Sequence, residues 1–188
     1  AEYKVAKEAA GAPDFKTIGA GIAALKPGDT LTIMPGEYSE AIQTAVSGTA
    51  EAAITIRAWR PGTVVIRGDA ELGGFRPAPG LRHVFFTPFK QRAESMAERS
   101  TLRMLEPKLS AAELEAALGS YFQDEKNGLL YVHTTDSQPP DAHALCASVT
   151  NACGMGFDAK GGVIQNIIID GLAFTGFSHR DYDLQHGA

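Results

Sequence analysis

The feature that most limits how this chain can fold is a set of bare β-branched runs cut by turn residues. Thr30-Leu31-Thr32-Ile33, Ile54-Thr55-Ile56 and Val64-Val65-Ile66 are separated by Pro35-Gly36 and Pro61-Gly62, and Gly68 closes the third. Runs of this kind favour strands, and Pro-Gly pairs favour turns. Ile33 and Ile56 lie 23 positions apart, close to the roughly 20 to 30 residues of a stacking repeat. Ile54-Thr55-Ile56-Arg57-Ala58 and Ile167-Ile168-Ile169-Asp170-Gly171 look alike. Coils stacked in parallel place Ile, Val and Leu in inward ladders, with Gly, Asn and Asp at the corners. Ahead of the strands, Phe15, Ile18, Ile22 and Leu25 fall at helical spacing. Asp14 is the expected N-cap of that helix, and Lys26-Pro27-Gly28-Asp29 its stop.

The period breaks between Gly74 and Ser148. Pro77, Pro79, Pro88, Pro107, Pro139 and Pro140 punctuate this stretch. Ser110-Ala111-Ala112-Glu113 matches a capping box, so a short helix carrying Leu114 and Leu118 is expected, ended by Gly119. Tyr121-Phe122-Gln123-Asp124 and Leu129-Leu130-Tyr131-Val132 flank Glu125-Lys126-Asn127-Gly128, and Asn-Gly between apolar runs marks a hairpin. Ile66 and Ile168 are 102 positions apart. Removing the 75 residues of the stretch leaves 27, close to one coil again. The expected organisation is a cap helix and first coils over 1–73, an inserted helix-hairpin subdomain over 74–148, and a resumed coil over 149–188, incomplete at its C-terminal end.

The chain has 188 residues, 44% hydrophobic and 21% charged, enough for a sizeable core. Its net charge of −5 argues against a broad nucleic-acid surface. An acidic protein can still present a locally basic groove to an anionic polymer. No apolar run reaches membrane-spanning length. Ala1-Glu2-Tyr3-Lys4-Val5 lacks the basic and apolar regions of a secretory signal. Cys146 and Cys153 are the two cysteines. They read as small buried hydrophobes or as a short-loop disulfide.

Two stretches carry a resemblance. The first is Pro27-Gly28-Asp29-Thr30, Pro35-Gly36-Glu37-Tyr38 and Ser47-Gly48-Thr49 ahead of Ile54-Thr55-Ile56-Arg57-Ala58. The second is Asn166-Ile167-Ile168-Ile169-Asp170-Gly171 followed by Leu172-Ala173-Phe174. Together they resemble the right-handed parallel β-helix, or pectate-lyase-like, superfamily. The N-terminal region is similar to polysaccharide lyases of the chondroitinase B and alginate lyase type. The resemblance implies an all-β solenoid, here its N-terminal segment with a helical cap and an α+β insertion. It implies a secreted, periplasmic or cell-surface protein acting on an acidic polysaccharide, by elimination or hydrolysis. Ca²⁺ enters as a cofactor only through this resemblance. Elimination beside a uronate needs a cation on the carboxylate and a base on the neighbouring C–H. In the family these groups sit several coils further along, so no catalytic residue is carried over. The alternative is a non-catalytic surface or assembly protein. Under either reading the open end of the last coil is expected to be covered, by further coils, a partner chain or a second copy.

His179, Arg180, Asp181 and Asp183, with His186, form the densest polar cluster. As a binding loop, Arg180 would meet a carboxylate and the acids would hold sugar hydroxyls or Ca²⁺. A solvated corner between coils accounts for the same residues. Lys90, Arg92, Arg99, Arg103 and Lys108 are interleaved with Glu94, Glu98 and Glu106, the pattern of a solvated face. Phe85, Phe86, Phe89, Tyr121, Phe122 and Tyr131 read as a sugar platform or as the core of the insertion. Trp59 reads as a stacking residue or a coil-edge packer. His83, His133 and His143 show no metal spacing and no paired carboxylate in sequence.

Overall fold

A computed structural model describes residues 1–7, 12–150, 152–159 and 161–178. It divides into two compact units, residues 1–68 with 152–177, and a second over 69–150. The regular structure among the described residues is mainly strand, with two short α-helices and one 3₁₀ turn.

The first unit opens with β1 (Glu2–Val5), then α1 (Ile18–Ala23), β2 (Thr30–Ile33), β3 (Gly36–Tyr38), β4 (Ile42–Thr44), β5 (Ile54–Ala58) and β6 (Val64–Arg67). The second unit follows β6 with β7 (Asp69–Glu71), β8 (Arg76–Pro77), β9 (Phe85–Pro88), β10 (Ser95–Glu98), β11 (Arg103–Met104) and β12 (Glu106–Pro107). It continues through α2 (Ala111–Leu114), β13 (Ser120–Asp124), β14 (Leu129–His133), a 3₁₀ turn (Pro140–Ala142) and β15 (Leu145–Ser148). The first unit then resumes with β16 (Met155–Phe157), β17 (Ile167–Asp170) and β18 (Leu172–Thr175).

In the first unit every sheet is parallel. The orders are β1-β2-β5-β17, β3-β6-β18 and β4-β16. Each pass of the chain feeds the sheets in the same sequence, so like positions stack. Tyr3, Leu31, Ile56 and Ile169 share one rung position, as do Tyr38, Ile66 and Phe174. Leu31 pairs with Ile56 and Ile33 with Ala58. Paired positions on β2 and β5 are therefore 25 residues apart, two more than the 23 that separate Ile33 from Ile56. Both isoleucines still point inward, because a two-residue shift preserves the face. Leu31, Ile33, Ile54, Ile56, Val64 and Ile66 are fully buried. The short strand β1, whose Tyr3 and Val5 alternate with Glu2 and Lys4, was not expected and supplies the first rung.

The cap helix is shorter than its apolar spacing implies. It runs over six residues, and its N-cap is Thr17, not Asp14. Thr17 Oγ1 accepts from the Ala20 amide at 3.3 Å, and the Glu40 carboxylate accepts from the Ile18 and Gly19 amides at 3.0 Å each. Those contacts satisfy amides that a helix start leaves without intrahelical partners. Asp14 accepts instead from the Lys4 amide at 2.7 Å. Phe15 sits before the helix and packs edge-on against Tyr3. Gly21 lets the helix lie close to the ladder, since a Cβ there would meet Leu31 and Val5 methyls at 3.0 Å.

The second unit is built differently, so the sheets of the chain as a whole do not form one solenoid. Its sheets, β11-β10-β15-β7 and β12-β13-β14-β9-β8, are antiparallel apart from the β12–β13 pair. Met96, Leu105, Tyr121, Leu130, Val132, Leu145 and Ala147 make its core. The β13–β14 hairpin forms at Asn127-Gly128, with Gly128 at φ +64°. Asp124 braces the turn by accepting from the Asn127 amide at 3.1 Å and its side chain at 2.7 Å. Ser110 is the N-cap of the expected helix, its Oγ accepting from the Glu113 amide, while the Glu113 carboxylate accepts from the Leu109 amide and the Ser110 hydroxyl. Helix α2 ends at Leu114, however, and Leu118 lies beyond it, 61% exposed. One turn of helix has no second apolar stripe to bury it.

Two measurements test this account. Ile56 and Ile169 occupy one rung position, but Ile56 is 0% and Ile169 43% exposed. Ile56→Ala is expected to cost about 2–5 kcal/mol in urea unfolding, and Ile169→Ala under about 1 kcal/mol. Equal costs would mean that the two positions are equally covered. The Asp124 carboxyl is held below its ordinary value by the Asn127 side chain first and the Asn127 amide second. Its contribution is present above the unfolded value near 3.8 and lost as pH falls through the lower folded value. Asn127→Ala is expected to move the Asp124 carbon titration upward in NMR.

Candidate functional site

The outward faces of the parallel strands carry the polar chemistry of the first unit. Leu31, Ile33 and Ile56 point inward, so Thr30, Thr32, Thr55 and Arg57 point out. The register places Lys4, Thr32, Arg57 and Asp170 in one row across four neighbouring strands. Arg57 Nε donates to Thr32 Oγ1 at 3.3 Å, which lays the guanidinium stem over the threonine and leaves Thr32 6% exposed. A second row holds Glu2, Thr30, Thr55 and Ile168. Trp59, just past β5, is 53% exposed, with its amide held by the Ile33 carbonyl at 2.8 Å. The face thus carries the cations Lys4 and Arg57, the carboxylates Glu2 and Asp170, the threonines of the second row and an open indole ring. Hydroxyls and amphipathic cations match sugar hydroxyls and carboxylates, and an indole stacks on a pyranose face.

On the second parallel sheet Arg67 is buried, and its Nη1 donates to Glu37 Oε2 at 2.7 Å. Glu37 is therefore engaged in an ion pair with Arg67. Burial, with the Glu40 charge nearby, raises the Tyr38 hydroxyl above its ordinary pKa, and that hydroxyl donates to the Met34 carbonyl at 2.9 Å.

His179, Arg180, Asp181 and Asp183 lie outside the described residues, as does His186. Arg92 pairs with Glu94, Arg99 with Glu71 and Lys108 with Glu106, so these basic side chains face acidic neighbours. Phe86, Tyr131 and Phe122 stand in register on three adjacent strands with ring centroids 5.7 and 5.9 Å apart. They pack against the small core of Ala78, Val84 and Leu114. Cys146 is buried and Cys153 exposed, and neither is bridged.

The fold also assembles a cluster that sequence order hides. Glu98 is fully buried and accepts from the Thr135 amide at 2.7 Å, from Thr135 Oγ1 at 2.6 Å and from Thr101 Oγ1 at 3.0 Å. His143 lies between it and Asp136, 3.6 Å from Glu98 Oε2 and 3.1 Å from Asp136 Oδ1. The Gln138 amide, first, and the His143 charge hold the Asp136 carboxyl below its ordinary value. This network fixes the segment between β14 and β15. Among the described residues no group of three or more His, Cys, Asp or Glu side chains is arranged to hold a metal ion. No helix among them is long and apolar enough to cross a membrane.

Residues 14–86 match the family model described as Chondroitinase B. No curated protein matches the sequence. A solved structure described as the complex structure of XylC with xylose matches at a TM-score of 0.67 and 16% identity. That match covers 93% of this chain and 35% of the other, so the chain spans about a third of that protein's length. The likeness of the N-terminal region to chondroitinase B is met by the family model, and the β-rich fold read from the sequence by the solved structure. Over residues 14–86 the chain carries the pattern of the chondroitinase B family, and its fold is similar to that of XylC.

Proposed function

We propose that the first unit is the start of a right-handed parallel β-helix in a secreted carbohydrate-active protein, and that its outer row binds an acidic polysaccharide. The observation that carries this reading is the Lys4–Thr32–Arg57 row beside exposed Trp59. Adjacent strands lie ~4.8 Å apart, so Lys4 and Arg57 stand roughly 10 Å apart. A sugar chain running across the strands advances about one residue per strand, so carboxylates on alternate sugars fall opposite the two cations. The chondroitinase B match over residues 14–86, which takes in β2 and β5 with Thr32 and Arg57, supports a polysaccharide ligand. Degradation by lyase or hydrolase chemistry is the activity proposed for the whole protein, with its catalytic groups on coils beyond β18. The parallel coils, the insertion over 74–148 and the resumed coil over 149–188 belong to the same reading. So does an extracellular, periplasmic or surface location.

A second reading rests on a different observation. β16, β17 and β18 end their sheets, and Ile169, Phe174 and Phe157 there are 43%, 43% and 40% exposed. Ile164, Ile167, Ile169 and Phe157 line a hollow of about 350 Å³ on this end. Open strand edges over an apolar cross-section favour pairing with further strands. Further coils, a partner chain or a second copy of this chain would cover it, and the last two make the protein an assembly module without catalysis.

The readings part in one experiment. The full-length protein is incubated with chondroitin, dermatan, alginate and polygalacturonate. A lyase raises ultraviolet absorbance through its unsaturated product, and a hydrolase raises reducing ends. Neither product from any substrate, with concentration-dependent self-association in sedimentation, would remove the enzyme reading. Binding is tested separately. Lys4→Ala and Arg57→Ala are each expected to weaken binding to the preferred polymer roughly fivefold, about 1 kcal/mol, and added salt to weaken it further. Unchanged affinity in both variants would remove the outer row as the binding face.

A further inference from the structure

The loop after β14 holds a second cluster, remote in sequence from the parallel strands. His133, at the end of β14, is 3% exposed. Its Nδ1 lies 2.6 Å from the Leu114 carbonyl oxygen. A carbonyl only accepts, so Nδ1 carries the hydrogen, and the neutral ring presents Nε2 as an acceptor. Ser137 Oγ stands 2.9 Å from that Nε2, so its hydroxyl donates to the ring. Ser137 is partly exposed and adopts φ +63°, a left-handed backbone that side chains seldom take. Its neighbours impose that conformation. Thr134 Oγ1 donates to the Gln138 carbonyl at 2.7 Å, and the Gln138 amide donates to Asp136 at 2.9 Å. Backbone strain held by surrounding bonds is a reason to look for function.

Two further groups surround the histidine. The His83 ring stacks on it at 5.6 Å and 10°. The Glu115 carboxylate accepts from the Arg82 amide at 2.9 Å and the His83 amide at 3.1 Å. The His83 amide is the largest cause holding the Glu115 carboxyl below its ordinary value, and the charges of His83 and His133 act in the same direction. The Glu115 carboxylate is thus held in place beside the two stacked rings by backbone amides of the loop that carries His83.

We propose that Ser137 and His133 form a nucleophile and general base for acyl transfer from a small O-acyl ester, of the kind carried on sugar hydroxyls. Ser137 Oγ attacks the ester carbonyl carbon as its proton passes to His133 Nε2. The tetrahedral adduct collapses, the bond to the leaving alcohol breaks, and His133 returns the proton to that alcohol. Water then cleaves the acyl-serine by the same proton path. Glu115 is a positioning residue that holds the His83 backbone, and with it the ring stacked on His133. This ester chemistry cleaves no glycosidic bond, so it stands apart from the polysaccharide reading and fails or holds separately.

The test treats the intact chain with a fluorophosphonate and with p-nitrophenyl acetate. One adduct mapped to Ser137 by peptide mass, together with an acetyl burst of one equivalent, is expected. Ser137→Ala is expected to remove both while its thermal unfolding stays unchanged. His133→Asn keeps a donor toward the Leu114 carbonyl and is expected to slow labelling by ~100-fold or more. Absence of an adduct at Ser137, or labelling spread evenly over several serines, would overturn the proposal and leave the Ser137–His133 bond as a brace for the turn. An unslowed His133→Asn would do the same. The wild-type map decides the matter even where that variant fails to fold.

Discussion

In the parallel unit a side chain is buried by the rung next to it, and the rest of the unit depends on that coverage. Ile56 is sealed because Leu31 lies on one side and Ile169 on the other. Ile169 itself remains 43% exposed, although its chemistry and its inward direction are the same. Burial here is thus a property of position in the stack as much as of residue type. The cap helix closes the other end by the same logic. Ile18 and Ile22 are fully buried within the cluster that contains Val5 and Leu31, and Glu40 and Thr17 satisfy the amides that such a short helix leaves open.

The same geometry that stacks apolar residues inside stacks polar ones outside. Period-two alternation along each strand and parallel pairing between strands turn single residues into rows. Lys4, Thr32 and Arg57 are separated by dozens of positions in sequence yet become neighbours at strand spacing. A row of this kind suits a polymer, because both repeat along one direction. The second unit follows another rule. Its antiparallel sheets bring residues from distant turns together as compact clusters, such as Glu98, Asp136 and His143, or Leu114, His133 and Ser137.

Much of the strand content was legible because local chemistry marks it. Asn127-Gly128 turns with positive φ at the glycine, and Ser110-Glu113 caps a helix. Asn166 and Gly171, at the corners flanking β17, take φ +55° and +70°. Lengths and registers were less legible. Apolar spacing over Phe15–Leu25 suits a longer helix than the six residues that form, because Phe15 is claimed by Tyr3 and the chain before Ile18 by β1. The pairing of Ile33 with Ala58 was hidden because a two-residue slip leaves the same face inward. β1 was missed because a four-residue strand at the start of a chain has little pattern of its own.

By itself the sequence determined which residues turn and which face inward on each strand. These follow from φ preferences, side-chain branching and two-residue alternation, all of which act within a few bonds. Only the tertiary structure decided the coil advance, the outer row of cations and hydroxyls, and the surroundings of His133 and His143. Those depend on which strand pairs with which, and pairing energy is shared among residues far apart along the chain. The exposed end of the ladder shows the difference most plainly. The composition of β17 matches that of β5, and coverage by a following rung is what separates a buried core residue from an open edge.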